Sequence, residues 1–187
     1  MSYGYFHQPN RDVRVAFDLF FRSVPDKGGY AIFAGLQHVI EFVENLSFSD
    51  ADIAYFRKQN LFSEEFLDFL RGFRFRGDIY AMPEGTIIYP NEPLLTIVAP
   101  IIDAQLVETA ILAQINHQSL VATKASRIVR AAEGRKVADF GARRAHNMDA
   151  ATYGARAAYI GGIDMTATVS AGQQFNIPIS GTMAHSW

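Results

Sequence analysis

No cysteine occurs among the 187 residues. Disulfide bonds, thiolate nucleophiles and cysteine-ligated metals are therefore excluded, and the composition accords with a cytoplasmic location. Neither sign of charge dominates: 17 Lys and Arg against 19 Asp and Glu leave a net charge of −2. That balance removes any global electrostatic argument for nucleic acid or an anionic membrane as partner. No apolar run approaches the ~18 residues of a membrane-spanning helix. The first ten residues hold no basic stretch followed by an apolar one, so no signal peptide is apparent. What remains is ordinary for a globular protein: 49% hydrophobic and 19% charged residues, with 15 Phe that serve first as core and interface filling.

Residues 13–21 are β-branched and aromatic with partial alternation, which predicts a strand closed by the turn Pro25-Asp26-Lys27-Gly28-Gly29. Residues 29–33 read as a second, shorter extended piece. Leu36, Val39, Ile40, Val43 and Leu46 recur at helical spacing. Ser49 ahead of Asp50 and Asp52, and Ser63 ahead of Glu64 and Glu65, read as N-caps of two short helices with acids in their first turns. Strands are predicted over 78–82, 86–89 and 94–98, and the Pro-rich turns between them imply an antiparallel meander. From 101 to 132 the helical period persists and Gly134 is placed to end it, while the polar patch Asn116-His117-Gln118-Ser119 predicts a break. Beyond Gly134 come a strand over 136–140, a polar loop over 141–147, a helix over 149–160 stopped by Gly161-Gly162, and a strand ending near Ser180. Strand, helix, strand at this spacing requires a parallel sheet. A domain boundary is thus expected near residue 133, with an α+β domain over 1–133 and the beginning of an α/β domain over 134–187.

Two segments concentrate polar chemistry at strand ends. In Asp139-Phe140-Gly141-Ala142-Arg143-Arg144-Ala145-His146, Gly141 permits a tight turn and the paired arginines suit phosphate or carboxylate. Phe140 offers a face on which an aromatic ligand can stack; the alternative is a solvated basic loop with Phe140 in the core. In Gly181-Thr182-Met183-Ala184-His185-Ser186-Trp187, the histidine is flanked by Ser180, Thr182 and Ser186 just after the apolar run Ile177-Pro178-Ile179. Carboxyl ends of strands in α/β folds are where ligands bind. A histidine there acts as acid, base, ligand or covalent phosphate carrier, and spacing alone does not choose among these or against an idle side chain. His7, His38 and His117 default to surface or core roles, and no pair of His or carboxylates has a metal-ligand spacing. The stretch from Gly161 to Thr168 lacks a P-loop lysine and does not match G-x-G-x-x-G, so a helix C-cap is the simpler account.

Taken together, the chain resembles nicotinate phosphoribosyltransferases. The resemblance is carried in order by Gly28-Gly29-Tyr30-Ala31-Ile32-Phe33-Ala34-Gly35-Leu36, Ala81-Met82-Pro83-Glu84-Gly85, Gln105-Leu106-Val107-Glu108-Thr109, Asp139 to His146, Tyr159-Ile160-Gly161-Gly162 and Gly181 to Ser186. It implies the type II phosphoribosyltransferase fold: an α+β N-terminal domain over 1–133, then the first βαβ part of an irregular α/β barrel over 134–187, incomplete here. It implies transfer of the phosphoribosyl group of 5-phosphoribosyl 1-pyrophosphate to nicotinate, giving nicotinate mononucleotide and pyrophosphate in NAD salvage. ATP hydrolysis is coupled through a transient phosphohistidine.

By the same resemblance, His185 of the Gly-Thr-x-Ala-His motif is the phosphorylated histidine and Thr182 contacts nicotinate. Phe140 stacks on the ring and Arg143 lies near the phosphate, while Arg144, His146, Ser180 and Ser186 are further pocket or phosphate candidates. Mg²⁺ is the implied metal, with no ligands in this chain, and ATP a co-substrate. The implied partners are nicotinate, the phosphoribosyl donor and ATP, in a cytoplasmic homodimer. The family's segment before Tyr3, with a tyrosine reaching a neighbouring subunit's nicotinate, and its barrel strands after Ser186 have no counterpart here. Met1 is accordingly expected to be internal to a longer protein and Trp187 a truncation point, with the metal-binding acids beyond it. Two alternatives stand beside the enzyme: a nicotinamide-specific relative, in which Asp164 lies in the region that recognises the amide, and an inactive fragment that only folds or associates.

Overall fold

The computed structural model describes residues 1–183. Its chain divides into two compact units that interleave in sequence. The first comprises Met1–Leu19, Gln37–Ala81 and Leu95–Leu112; the second comprises Phe20–Leu36, Met82–Leu94 and the residues from Ala113 on.

The first unit is built on a three-stranded antiparallel sheet, ordered β1-β5-β3, from β1 (Arg14–Leu19), β3 (Asp78–Ala81) and β5 (Leu95–Pro100). The central strand β5 is the most deeply buried of the three, as its apolar Leu95, Ile97 and Ala99 require. Helices α1 (Ser2–Phe6), α2 (Leu36–Asn45), α3 (Asp50–Gln59) and α4 (Glu64–Arg71) complete the unit, together with the first turns of α5 (Ile101–Ala131). The expected N-caps are present. Ser49 Oγ accepts from the Asp52 amide while the Asp52 carboxylate accepts from the Ser49 amide, a reciprocal capping box, and Ser63 Oγ accepts from Phe66 N. Much of the phenylalanine content gathers here. Ile53, Phe66, Leu67 and Leu70 form a buried cluster flanked by Tyr3, Phe6, Phe48, Phe56, Phe62 and Phe69, with edge-on pairs such as Phe56–Phe62 at 5.8 Å. Helix α1, which lacks the length for a periodic signal, is held by this cluster through Tyr3 and Phe6.

The expected meander is not formed. β3 pairs with β5, but the intervening strand β4 (Ile87–Ile88) pairs antiparallel with β2 (Ala31–Ile32) in the second unit. The excursion is pinched at its neck, where Met82 N donates to Leu94 O at 3.0 Å. The expected break in α5 is also absent, and the helix is continuous for 31 residues. Its polar patch has a different task. Ile32 N donates to Thr123 Oγ1 at 2.8 Å, Ala34 N donates to Ser119 Oγ at 3.1 Å, and the Ser119 hydroxyl donates back to Ala34 O. Buried hydroxyls on the helix thus satisfy backbone groups that a two-residue strand leaves unpaired. Gly35 follows with φ +107°, and a Cβ there would lie 3.1 Å from Gln114 O, so both conformation and space demand glycine.

The rest of the second unit is parallel. β6 (Ala138–Asp139), α6 (Met148–Ile160) and β7 (Met165–Thr166) form a βαβ unit in the register Ala138↔Met165 and Asp139↔Thr166. A further helix, α7 (Val169–Phe175), leads to Ile179, which makes a parallel bridge to Thr166. Helix α7 was not expected; its seven residues include Gly172, Ser170 and β-branched Val169, a weak helix signal. Helix α6 packs on α5 through small residues: Ala122 and Ala157 share one buried cluster, and Ala125 and Ala158 another. At Gly161, the α6 C-cap, a Cβ would meet the Ala122 carbonyl oxygen and come within 2.8 Å of Ala125 Cβ. Because a backbone oxygen cannot yield, Gly161→Val is expected to cost about 1–3 kcal/mol through overpacking. Chemical denaturation checks this, and an unchanged midpoint would remove the close approach as its reason.

Candidate active site

The carboxyl ends of β6, β7 and the Ile179 segment lie side by side. Thr166 N donates to Pro178 O at 3.0 Å and Ser180 N to Thr166 O at 2.9 Å, while Ala167 N donates to Asp139 O at 2.9 Å. Three backbone segments therefore leave the small parallel sheet at the same end, and the residues that follow each strand border one open hollow of about 550 Å3. Phe140 comes from the end of β6, Ala167 and Val169 from the end of β7, and Ile179, Ser180, Gly181 and Thr182 from the last segment. Phe140 is 43% exposed, so it is not a core residue. An aromatic face beside two hydroxyls, with no carboxylate on the rim among the described residues, suits a flat ring bearing a polar or anionic substituent.

Arg144 and His146 border a different hollow, of about 360 Å3, together with His117 of α5 and Asp139. The His117 ring nitrogen Nε2 lies 3.3 Å from the Ala150 carbonyl oxygen. Arg143 sits in the 3-10 turn Ala142–Arg144, exposed, and lines neither hollow. Of the candidate residues, the structure therefore brings Phe140, Ser180 and Thr182 together and groups Arg144 with His146. His185 and Ser186 lie outside the described residues. Among the described residues no three His, Asp or Glu side chains converge to hold a metal ion.

Three further polar groups brace the second unit, and their pairings have no local sequence signal. Asp139 accepts from Gly141 N at 2.9 Å through Oδ1 and from the Thr166 hydroxyl at 2.8 Å through Oδ2. Asp164 works at the opposite, amino end of the strands, where Oδ2 accepts from Val137 N at 2.8 Å. Glu84 and Arg156 form the most buried ion pair of the second unit, at 2.8 and 2.6 Å, with side chains only 18% and 12% exposed. Glu84 also accepts from the amides of Gly35 and Leu36 at 2.6 and 3.1 Å. Burial pushes its carboxyl upward, but the hydrogen bonds from Arg156 and the two amides outweigh this and hold it below the ordinary glutamate value of 4.5.

The profile of the nicotinate phosphoribosyltransferase (NAPRTase) N-terminal domain matches residues 1–116. The chain belongs to the nicotinate phosphoribosyltransferase family. It is 52% identical over 173 residues to the nicotinate phosphoribosyltransferase pncB2 of Mycobacterium tuberculosis, covering 92% of this chain and 37% of that protein. It is 46% identical over 186 residues to the nicotinate phosphoribosyltransferase of Bacillus subtilis, covering 100% of this chain and 38% of that protein. The crystal structure of human nicotinic acid phosphoribosyltransferase superposes with a TM-score of 0.92 at 32% identity, over 99% of this chain and 38% of the human one. A nicotinate-nucleotide pyrophosphorylase from Pyrococcus furiosus follows at a TM-score of 0.73 and 29% identity. The chain thus spans less than two fifths of the length of the relatives it matches. Its mixed α/β architecture is the type II phosphoribosyltransferase fold that the sequence motifs implied. Among the described residues, no helix is long and apolar enough to cross a membrane.

The Asp164 carboxylate is committed to the Val137 amide at the amino end of β6, whereas Phe140 and Thr182 stand at the carboxyl end. Asp164 therefore does not line the hollow.

Proposed function

We propose that this chain forms the nicotinate-binding front part of a nicotinate phosphoribosyltransferase of NAD salvage. The pyridine nitrogen of nicotinate attacks C1 of 5-phosphoribosyl 1-pyrophosphate, the C1–oxygen bond breaks, and pyrophosphate leaves with the bonding pair. The observation that carries this reading is the exposed Phe140 ring sharing one hollow with Ser180 and Thr182 at the strand ends. In the proposed arrangement Phe140 stacks on the pyridine ring and the Thr182 hydroxyl donates to the carboxylate. Ser180 completes the rim, and Arg143 reaches the phosphate end, its guanidinium free of any hollow-lining role. Arg144, His146 and Ser186 are proposed as supporting phosphate or pocket groups. Catalysis is then mostly positioning of the two reactants and stabilisation of a highly charged leaving group. The acids that bind Mg²⁺ and the donor are proposed to lie outside residues 1–187.

We further propose that ATP coupling runs through His185. A phosphoryl group on that imidazole adds anionic charge to the pocket and shifts the affinity for the donor without attacking the sugar. Residues 1–133 are proposed as the N-terminal domain and 134–187 as the start of the barrel, in a cytoplasmic homodimer. In the full-length protein, His185→Ala is expected to abolish ATP stimulation while retaining slow transfer. Undiminished stimulation would show that another group carries the phosphate. A second reading applies to the 187 residues alone: Val169 and Ile179 leave apolar surface exposed around the hollow, which favours association over turnover. An assay with labelled nicotinate, donor, Mg²⁺ and ATP separates the two, since measurable turnover by these residues alone eliminates the inactive reading.

A further inference from the structure

The geometry points to Thr166 and Asp139 as a clamp that sets the direction of the Phe140 ring, making them positioning residues for nicotinate; this rests on the reading of Phe140 as the stacking residue. Phe140 stands between two residues tied to one carboxylate. Asp139 precedes it, and Gly141, which follows it, donates its amide to Asp139 Oδ1 at 2.9 Å. That is an Asx-turn with Phe140 at its apex. A Cβ on residue 141 would fall 3.0 Å from the same oxygen, so a larger residue there would push the carboxylate back by a few tenths of an ångström.

An Asx-turn alone leaves the aspartate free to rotate and the turn free to open. Here the second oxygen is pinned from the neighbouring strand. The Thr166 hydroxyl donates to Asp139 Oδ2 at 2.8 Å, and its own direction is fixed because Oγ1 accepts from Thr168 N at 3.0 Å. Thr166 is 1% exposed, so its hydroxyl is held by these partners and not by bulk water. The chain of donors runs from the Thr168 amide through the Thr166 hydroxyl to the Asp139 carboxylate, with the Gly141 amide closing on its other oxygen. Thr166 also binds the backbone that delivers Ser180, at 2.9 Å. Thr166 therefore acts on both sides of the hollow: its hydroxyl sets the aromatic wall through Asp139, and its backbone carbonyl holds the strand that delivers Ser180. A structural role alone requires only that Thr166 be satisfied; this arrangement ties its hydroxyl to the one turn that presents the ring.

The experiment uses the full-length protein. Thr166→Val keeps the side-chain shape and removes the donor, while Thr166→Ser keeps the donor. With 4-fluorophenylalanine at position 140, the parent and Thr166→Ser are expected to give one narrow fluorine resonance, and Thr166→Val a split or broadened one. In transfer kinetics Thr166→Val is expected to raise the nicotinate KM about tenfold while the donor KM stays within about twofold. In a Phe140→Ala background, the same change should add nothing to the nicotinate KM, because the ring it acts through is gone. If Thr166→Val does not fold, Asp139→Asn takes its place, since the amide nitrogen cannot accept from Thr166. A fluorine line identical in all variants overturns the clamp, as does a full extra effect of Thr166→Val without the ring. A parent protein that transfers nothing to nicotinate instead overturns the functional reading, and the substrate-free fluorine arm still decides the clamp.

Discussion

Glu84→Ala is expected to destabilise the fold by about 3–5 kcal/mol, because it removes the carboxylate that accepts from a buried guanidinium and from two backbone amides at once. The carboxylate accepts four hydrogen bonds, two from Arg156 and one each from Gly35 and Leu36. Arg156→Met is expected to cost less, since the carboxylate would keep its two amide donors. The contrast between the variants is readable in urea midpoints, and hydrogen exchange should show Gly35 and Leu36 losing protection only when Glu84 is changed. Equal costs for the two variants would mean that the amides contribute nothing.

The sign of the pH dependence follows from the lowered carboxyl value. The group is charged in the fold at pH values where the unfolded chain is already protonating. Its contribution is complete above about 4.5 and is lost as pH falls through the lower folded value. Glu84→Gln should therefore flatten the acid limb of the stability profile relative to the parent.

Local chemistry was well represented in the sequence, and non-local pairing was not. Ser49 and Ser63 revealed helix starts because the cap, the acids and the apolar run lie within one turn of each other. Gly161 and Gly162 revealed a helix end for the same reason. The motif from Asp139 to His146 correctly placed an aromatic residue at a strand end, and that ring does share a hollow with Ser180 and Thr182. It did not divide the motif's two arginines, since the 3-10 turn Ala142–Arg144 sends only Arg144 toward the second hollow. Ser119 illustrates the limit most clearly. Within its own helix it reads as a break, and its purpose appears only with Ala34, 85 residues earlier in the chain. Glu84 and Arg156 are 72 residues apart and share no motif. Strands β2 and β4 were both legible as extended pieces, but their pairing was not, because two-residue strands carry no register signal of their own.

The other large effect belongs to the first unit, and its size depends on which partner is removed. Asp103, in the first turn of α5, is 0% exposed, while its partner Arg76 is 55% exposed. Arg76 reaches it with three donors: the backbone amide at 3.2 Å, Nε at 3.1 Å and Nη2 at 3.2 Å. The aspartate hydrogen bonds in turn raise the arginine above its ordinary value. Arg76→Met is expected to cost about 3–5 kcal/mol, because it leaves a fully buried carboxylate with one backbone donor. Asp103→Asn removes the charge but keeps an oxygen for the Arg76 amide, and the half-exposed guanidinium regains water. Its cost is expected to be only about 1–2 kcal/mol. The double variant should then be no worse than Arg76→Met alone, because removing the buried charge relieves the penalty that the first substitution created. Denaturation of the three variants decides this: additive losses in the double variant would show that the pair is not coupled through the buried carboxylate.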